Sequence, residues 1–173
     1  MNEIINAMIE RRSCKSYKSD MVPKADIEKV IEAGLWAANG RGLQTPVIIA
    51  VTDKETRAAL SKLNASVMGA NSDPFYNAPV VLIVLAPAEH PNRVYDGSLV
   101  MGNMMLAAYS MGIGSCWIHR AKEVFEMPEG KEILKKAGLE GEWEGIGNCV
   151  LGYADGALKE AQPRKGGRVY WIN

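Results

Sequence analysis

Apolar residues recur along this chain with two distinct periods. Ile4, Ile5, Met8 and Ile9 fall on one face of a helix predicted over residues 2–12. Between Pro23 and Ala38 the positions Ile27, Val30, Ile31, Gly34 and Leu35 follow the spacing i, i+3, i+4, i+7, i+8. That is a helical stripe, with the proline near the first turn, where its missing N–H costs little. Val47–Thr52, Val80–Leu85 and Ile146–Tyr153 have the other character, continuous and largely apolar, as expected of strands covered on both faces. Lys54–Val67 predicts a helix with Leu60, Leu63 and Val67 inward, and Asp96 is placed to cap a long helix running to Met111. The alanines, methionines and Gly102 of that helix suit an element packed among several neighbours. Gly112–Gly114 ends it and Ser115–Ile118 predicts a short strand. Weaker helical patterns follow at 121–125 and 129–137, and Val169–Ile172 predicts a final strand. Residues 39–46, 68–77 and 87–96 read as loops, the second presenting Phe75 and Tyr76 as exposed aromatics.

Interleaved helices and strands define a mixed α and β class in one domain covering residues 1–173. Twenty basic and twenty acidic residues cancel, so no global field draws the chain to nucleic acid or membrane, and any anion must be held by a local cluster. The amino end carries acidic residues among its apolar ones rather than a signal peptide's order, and no apolar run has the length to span a bilayer. Cys14, Cys116 and Cys149 are an odd, widely spaced set and His90 and His119 are the only histidines, which argues against a disulfide framework or a metal site and for a reducing, cytoplasmic location.

The one dense cluster of chemistry is Arg11-Arg12-Ser13-Cys14-Lys15-Ser16-Tyr17, directly after the first helix. Guanidinium groups fork onto phosphate oxygens, serine adds a neutral donor and lysine a compact, mobile charge, so the segment reads as an anion site at a helix-to-loop junction. The competing reading is a solvated basic turn. The tail Gln162-Pro163-Arg164-Lys165-Gly166-Gly167-Arg168 is basic as well. Nucleotide folds with a phosphate loop are excluded: there is no GxGxxG after a strand, and Gly130-Lys131-Glu132 lacks P-loop spacing. Other candidates have plainer alternatives. Cys14 reads as filler in a turn, Cys116, Cys149 and Trp36 as core, and the Met104, Met105, Met111 run as packing.

The order of these pieces resembles the FMN-dependent nitroreductase family. A helix leads into Arg-Arg-Ser-x-Lys-x-Tyr, then a proline breaker, an amphipathic helix, a small-residue loop with Gln44 and a VIIAV strand. Asn77-Ala78-Pro79 precedes the next strand, MGNMMLAAYSMG leads into GSCWI, VLGYAD follows, and a proline with basic residues stands before the last strand. The resemblance implies an α+β fold, a mixed, mainly antiparallel sheet flanked by helices, in an intertwined homodimer with one FMN at each of two interface sites. It implies that Arg11, Arg12 and Ser13 hold the FMN phosphate and ribityl chain, that Arg164 and Lys165 add phosphate contacts, and that Gln44 lies on the loop laid against the partner's flavin. Asn71 stands nearest to the family's middle asparagine, and His119 and Arg120 occupy positions that line the flavin in relatives. In the Gln44 loop only the glutamine of the family's usual Ser-x-x-Asn-x-Gln-Pro-Trp is kept. Lys15 has a catalytic role by this resemblance: hydride arriving at N5 leaves negative charge near N1 and O2, which a cation stabilises. The implied activity is NADH- or NADPH-dependent ping-pong reduction of an electron-poor acceptor such as a nitroaromatic or quinone. A narrower reductase of the same fold (an enoate reductase or dehalogenase) and a flavin-binding, redox-responsive protein without turnover are the alternatives.

Overall fold

The computed structural model describes residues 1–172. Four strands, β1 (Val47–Val51), β2 (Val80–Pro87), β3 (Gly114–Ile118) and β4 (Trp143–Gly152), form one sheet in the order β1-β2-β4-β3. Every neighbouring pair is antiparallel, so the sheet is not mixed; the parallel element is reduced to an isolated bridge between Ser13 and Ser115. The two central strands, β2 and β4, are the longest and are buried on both faces, which is why they show no polar alternation. Successive β2 residues therefore feed two cores. Val81, Ile83 and Leu85 point with Val150 into one, completed by α3 (Lys54–Met68), α5 (Ala121–Glu126) and α6 (Pro128–Lys136). Val80, Leu82 and Val84 point with Cys149 and Leu151 into the other, covered by α2 (Lys24–Leu35) and α4 (Arg93–Ser110). The first helix, α1 (Glu3–Glu10), buries no residue, and its apolar stripe faces outward.

Local chemistry sets the ends of these elements. Asn2 and Asp53 accept the Ile5 and Thr56 amides and cap α1 and α3, and Gly69 closes α3 at φ 63°. Asp96 does not cap α4. The helix begins three residues earlier, at Arg93, and the Asp96 carboxylate in its first turn instead accepts the Gly40 N–H at 2.9 Å. Trp36 is not core: α2 ends at Leu35, and the indole stands 81% exposed beyond it. Cys14 is buried at 1% exposure, and Phe75 is fully buried rather than exposed. Val169–Ile172 forms no strand; these four residues are 70–101% exposed in the single chain. No helix among the described residues is long and apolar enough to cross a membrane.

Candidate functional site

The basic segment is laid across the ends of β3 and β4 by backbone bonds. Arg11 closes α1 by donating to Ala7 O at 2.9 Å. Beyond it the Cys14 amide donates to Ser115 O, the Lys18 amide to Tyr153 O and the Asp155 amide to Ser16 O, each at 2.9 Å. Cys14 and Tyr17 turn into the core, where the Tyr17 hydroxyl donates to Cys14 O and burial raises its pKa. Ser13, Lys15 and Ser16 stay exposed. Arg12 turns back on α1 and donates to the carbonyls of Ile9 and Arg11, a favourable place for a cation at a helix C-terminus. Arg11 Nη1 is buried and has no hydrogen-bond partner among the described residues. Such an orphaned charged donor is costly unless something outside the chain accepts from it. The segment from Arg12 to Ser16 also lines a groove of about 360 Å³ whose other wall is Asp155–Glu160. Burial pushes the Cys149 thiol up to about 12 and raises Cys116 as well, so both stay protonated at neutral pH and serve packing rather than nucleophilic chemistry.

Three further loops share one device. Among the described residues, five non-glycine positions have positive φ: Arg41, Gln44, Tyr76, Asn77 and Arg120. Such conformations are unfavourable for most side chains and persist where the surroundings impose them. Each loop is pinned by buried or half-buried polar side chains. In the Gln44 loop, Asp96 holds the Gly40 amide and lies 3.2 Å from His90 Nε2, while Asn39 Oδ1 accepts the Gln44 amide at 2.9 Å. In the loop before β2, Asp73 accepts from the Phe75 amide at 3.0 Å, the Asn77 amide at 2.7 Å and Ser61 Oγ at 2.6 Å. Arg57 pairs with Asp73 and donates to Ala78 O at 3.0 Å. Burial pushes the Asp73 carboxyl up, but the Arg57, Ser61, Phe75 and Asn77 donors outweigh it and hold it below the usual carboxylate range. At the third turn, Asn64 Nδ2 donates to His119 O at 2.8 Å, and Arg120 pairs with Glu123 at 3.0 Å.

The site residues expected from sequence are thus only partly gathered. Arg11, Arg12, Ser13 and Lys15 are contiguous, and His119 and Arg120 follow the strand whose start bonds to Ser13 and Cys14. Gln44 belongs to a separate loop fastened to α4. Asn71 lies along α3 in a shallow groove with Ser61, Lys62 and Asp73; the residue that this loop sets against Lys15 is Tyr76, its ring centroid 5.7 Å from the ammonium. Arg164 and Lys165 are exposed in the tail, where Arg164 donates to Gln162 O and Lys165 O accepts from Arg168, so the single chain does not bring them to Arg11. Sequence reasoning missed Asp73, Arg57 and Asn64, and it singled out Tyr76 only as a loop aromatic, without its place against Lys15. Asp73-Pro74 is a turn signal, but that its carboxylate organises the loop is visible only once the partners are placed.

Comparison with known proteins gives this arrangement a family. A crystal structure of a nitroreductase with bound FMN from Bacteroides fragilis superposes with a TM-score of 0.92 at 26% identity, covering 100% of both chains. An FMN-dependent nitroreductase from Clostridium difficile superposes at 0.82 with 27% identity over 98% of this chain and 99% of that one. In sequence, an FMN reductase [NAD(P)H] of Bacillus subtilis is 25% identical over 169 residues, spanning 80% of this chain and 65% of that protein. The model of the Nitroreductase family matches residues 8–153, and the chain belongs to that family.

Proposed function

We propose that this protein is an NAD(P)H-dependent flavin oxidoreductase that holds FMN on the Arg11–Lys15 segment and passes reducing equivalents to an electron-poor small molecule. The observation that carries the reading is Arg11 Nη1, buried and without a partner, next to Ser13 and Lys15. A phosphate supplies the acceptor this donor lacks, and a charge-assisted bond there contributes about 1.5–3 kcal/mol. The donor set therefore fits the cofactor. When bound, FMN supplies the hydride chemistry at its N5, with NADH or NADPH as the source.

The chain's own residues bind and orient. Arg11 and Ser13 donate to the phosphate and ribityl chain. Arg12, already committed to the α1 carbonyls, shapes the wall and adds field. Lys15 places a positive charge at the pyrimidine edge. Outside that segment, the turn at His119 and Arg120, held by Asn64, would add to the wall around the cofactor. A homodimer completes the site. It brings Gln44 from the second chain and gives Arg164 and Lys165 a route to the phosphate. The support for a second copy is the apolar surface left uncovered in one chain: Ile4, Ile5, Met8 and Ile9 of α1, Leu35 and Trp36 at the end of α2, and the tail residues Val169–Ile172. Three free, buried cysteines agree with a reducing cytoplasm.

An absorbance spectrum of the purified protein tests this, followed by anaerobic titration with each nicotinamide. Yellow protein bleached by NADH or NADPH and reoxidised by a nitroaromatic or quinone supports the reading. Yellow protein that no nicotinamide reduces is a flavin-binding protein without turnover. Colourless protein that refuses added FMN ends the proposal.

A further inference from the structure

Lys15 is the cation with the clearest electronic task, yet it makes no ion pair among the described residues. What it meets is the Tyr76 ring, 5.7 Å from ammonium to centroid and inside the cation–π range of about 6 Å. Tyr76 is held there at some cost. Its φ is 54° and that of Asn77 is 61°, both in the left-handed region. The clamp that maintains them is Asp73, accepting the amides on either side of Tyr76, and Arg57, which bonds Ala78 O and stands 5.5 Å from the centroid of the buried Phe75 ring. An aromatic face differs from a carboxylate in one decisive respect. It localises a long, flexible lysine without cancelling its charge, leaving the full positive field for a bound group.

We propose that Tyr76 is a positioning residue for Lys15: it fixes the ammonium where the reduced flavin develops negative charge, and Arg57 and Asp73 hold Tyr76 in place. The inference rests on the reading that Lys15 serves FMN. It adds a residue and a clamp that the basic motif does not contain.

The test is the two-electron midpoint potential of bound FMN in the full-length protein, measured for the wild type, Tyr76→Leu, Tyr76→Phe, Lys15→Met and the double variant Lys15→Met/Tyr76→Leu. Tyr76→Leu frees the ammonium and disfavours the reduced cofactor, lowering the reduction equilibrium constant about fivefold, the size of one cation–π contact. Tyr76→Phe keeps the ring face and the wild-type potential. Lys15→Met lowers the potential at least as far, and adding Tyr76→Leu to it changes nothing more, since the aromatic then has no cation to hold. An unchanged potential in Tyr76→Leu overturns the proposal. So does an equal shift in the Lys15→Met background, which would mean that Tyr76 acts on the flavin directly. Should Tyr76→Leu not fold, the wild type decides by NMR: the Lys15 ε-methylene protons must lie upfield of the other lysines through the Tyr76 ring current, and their absence there is equally fatal. Failure of the underlying reading looks different, because wild-type protein would then bind no FMN before any variant is made.

Discussion

Single residues divide into those that hold the fold and those that wait for a ligand. Under the proposed function Arg11 is of the second kind, since its buried Nη1 has no partner among the described residues. Arg11→Ala should therefore leave the melting temperature of cofactor-free protein near the wild-type value while weakening FMN binding about 10- to 100-fold, read by flavin fluorescence titration. Asp73 is of the first kind. Its carboxyl is held below its ordinary value of 3.8, so the stability it confers is complete above that value and is lost as pH falls through the lowered one. Melting curves between about pH 5 and pH 2 should show this acid-side loss. Asp73→Asn should be about 2 kcal/mol less stable at pH 7 and should flatten the slope. The basic motif was legible in the sequence because its charges are adjacent. The role of Asp73 was not, because its partners Arg57, Ser61, Phe75 and Asn77 are assembled by a helix packing against a loop.

At the scale of elements, close approach rather than propensity decides several positions. Gly130 on α6 abuts α5: a Cβ there would be driven into Val124 O and sit 2.8 Å from its carbonyl carbon. Gly130→Ala should cost about 1–3 kcal/mol in urea unfolding, because backbone, unlike a flexible side chain, has little room to retreat. Helices and strands were largely legible from the period of apolar positions, with boundaries shifted by a residue or a few. The start of α4 is the instructive difference. Asp96 followed by an apolar stripe reads as a cap, yet its carboxylate is taken by the Gly40 amide, 56 positions away in sequence. The same bond anchors the Gln44 loop, so a residue that looked like local punctuation joins two distant segments.

For the whole molecule, the dominant feature is apolar surface with nothing on it. α1 buries none of its side chains, and Val169–Ile172 of the tail are 70–101% exposed. A chain ending after Asp155 should run as a monomer in gel filtration and lose most of its FMN, whereas the full-length protein should run as a dimer and retain it. If the truncated chain stays dimeric and yellow, the tail has no part in assembly. Val169–Ile172 was predicted as a strand, and within one chain it has no ladder to join. A strand's backbone groups need a neighbour, and the second copy proposed above would supply one.

The class of fold, the order of elements as far as β4 and the cluster of cations were legible in the sequence, because apolar periodicity and adjacent charges are local properties that survive without a third dimension. The fold alone settled that the sheet is wholly antiparallel, that Arg11 Nη1 is buried with no partner among the described residues, that Trp36 lies outside, and that Tyr76 rather than Asn71 faces Lys15. Those outcomes depend on which distant backbone groups satisfy one another. The left-handed residues of the three loops make the point: no propensity asks for Tyr76 at φ 54°, and it is held there by Asp73 and Arg57 across the fold.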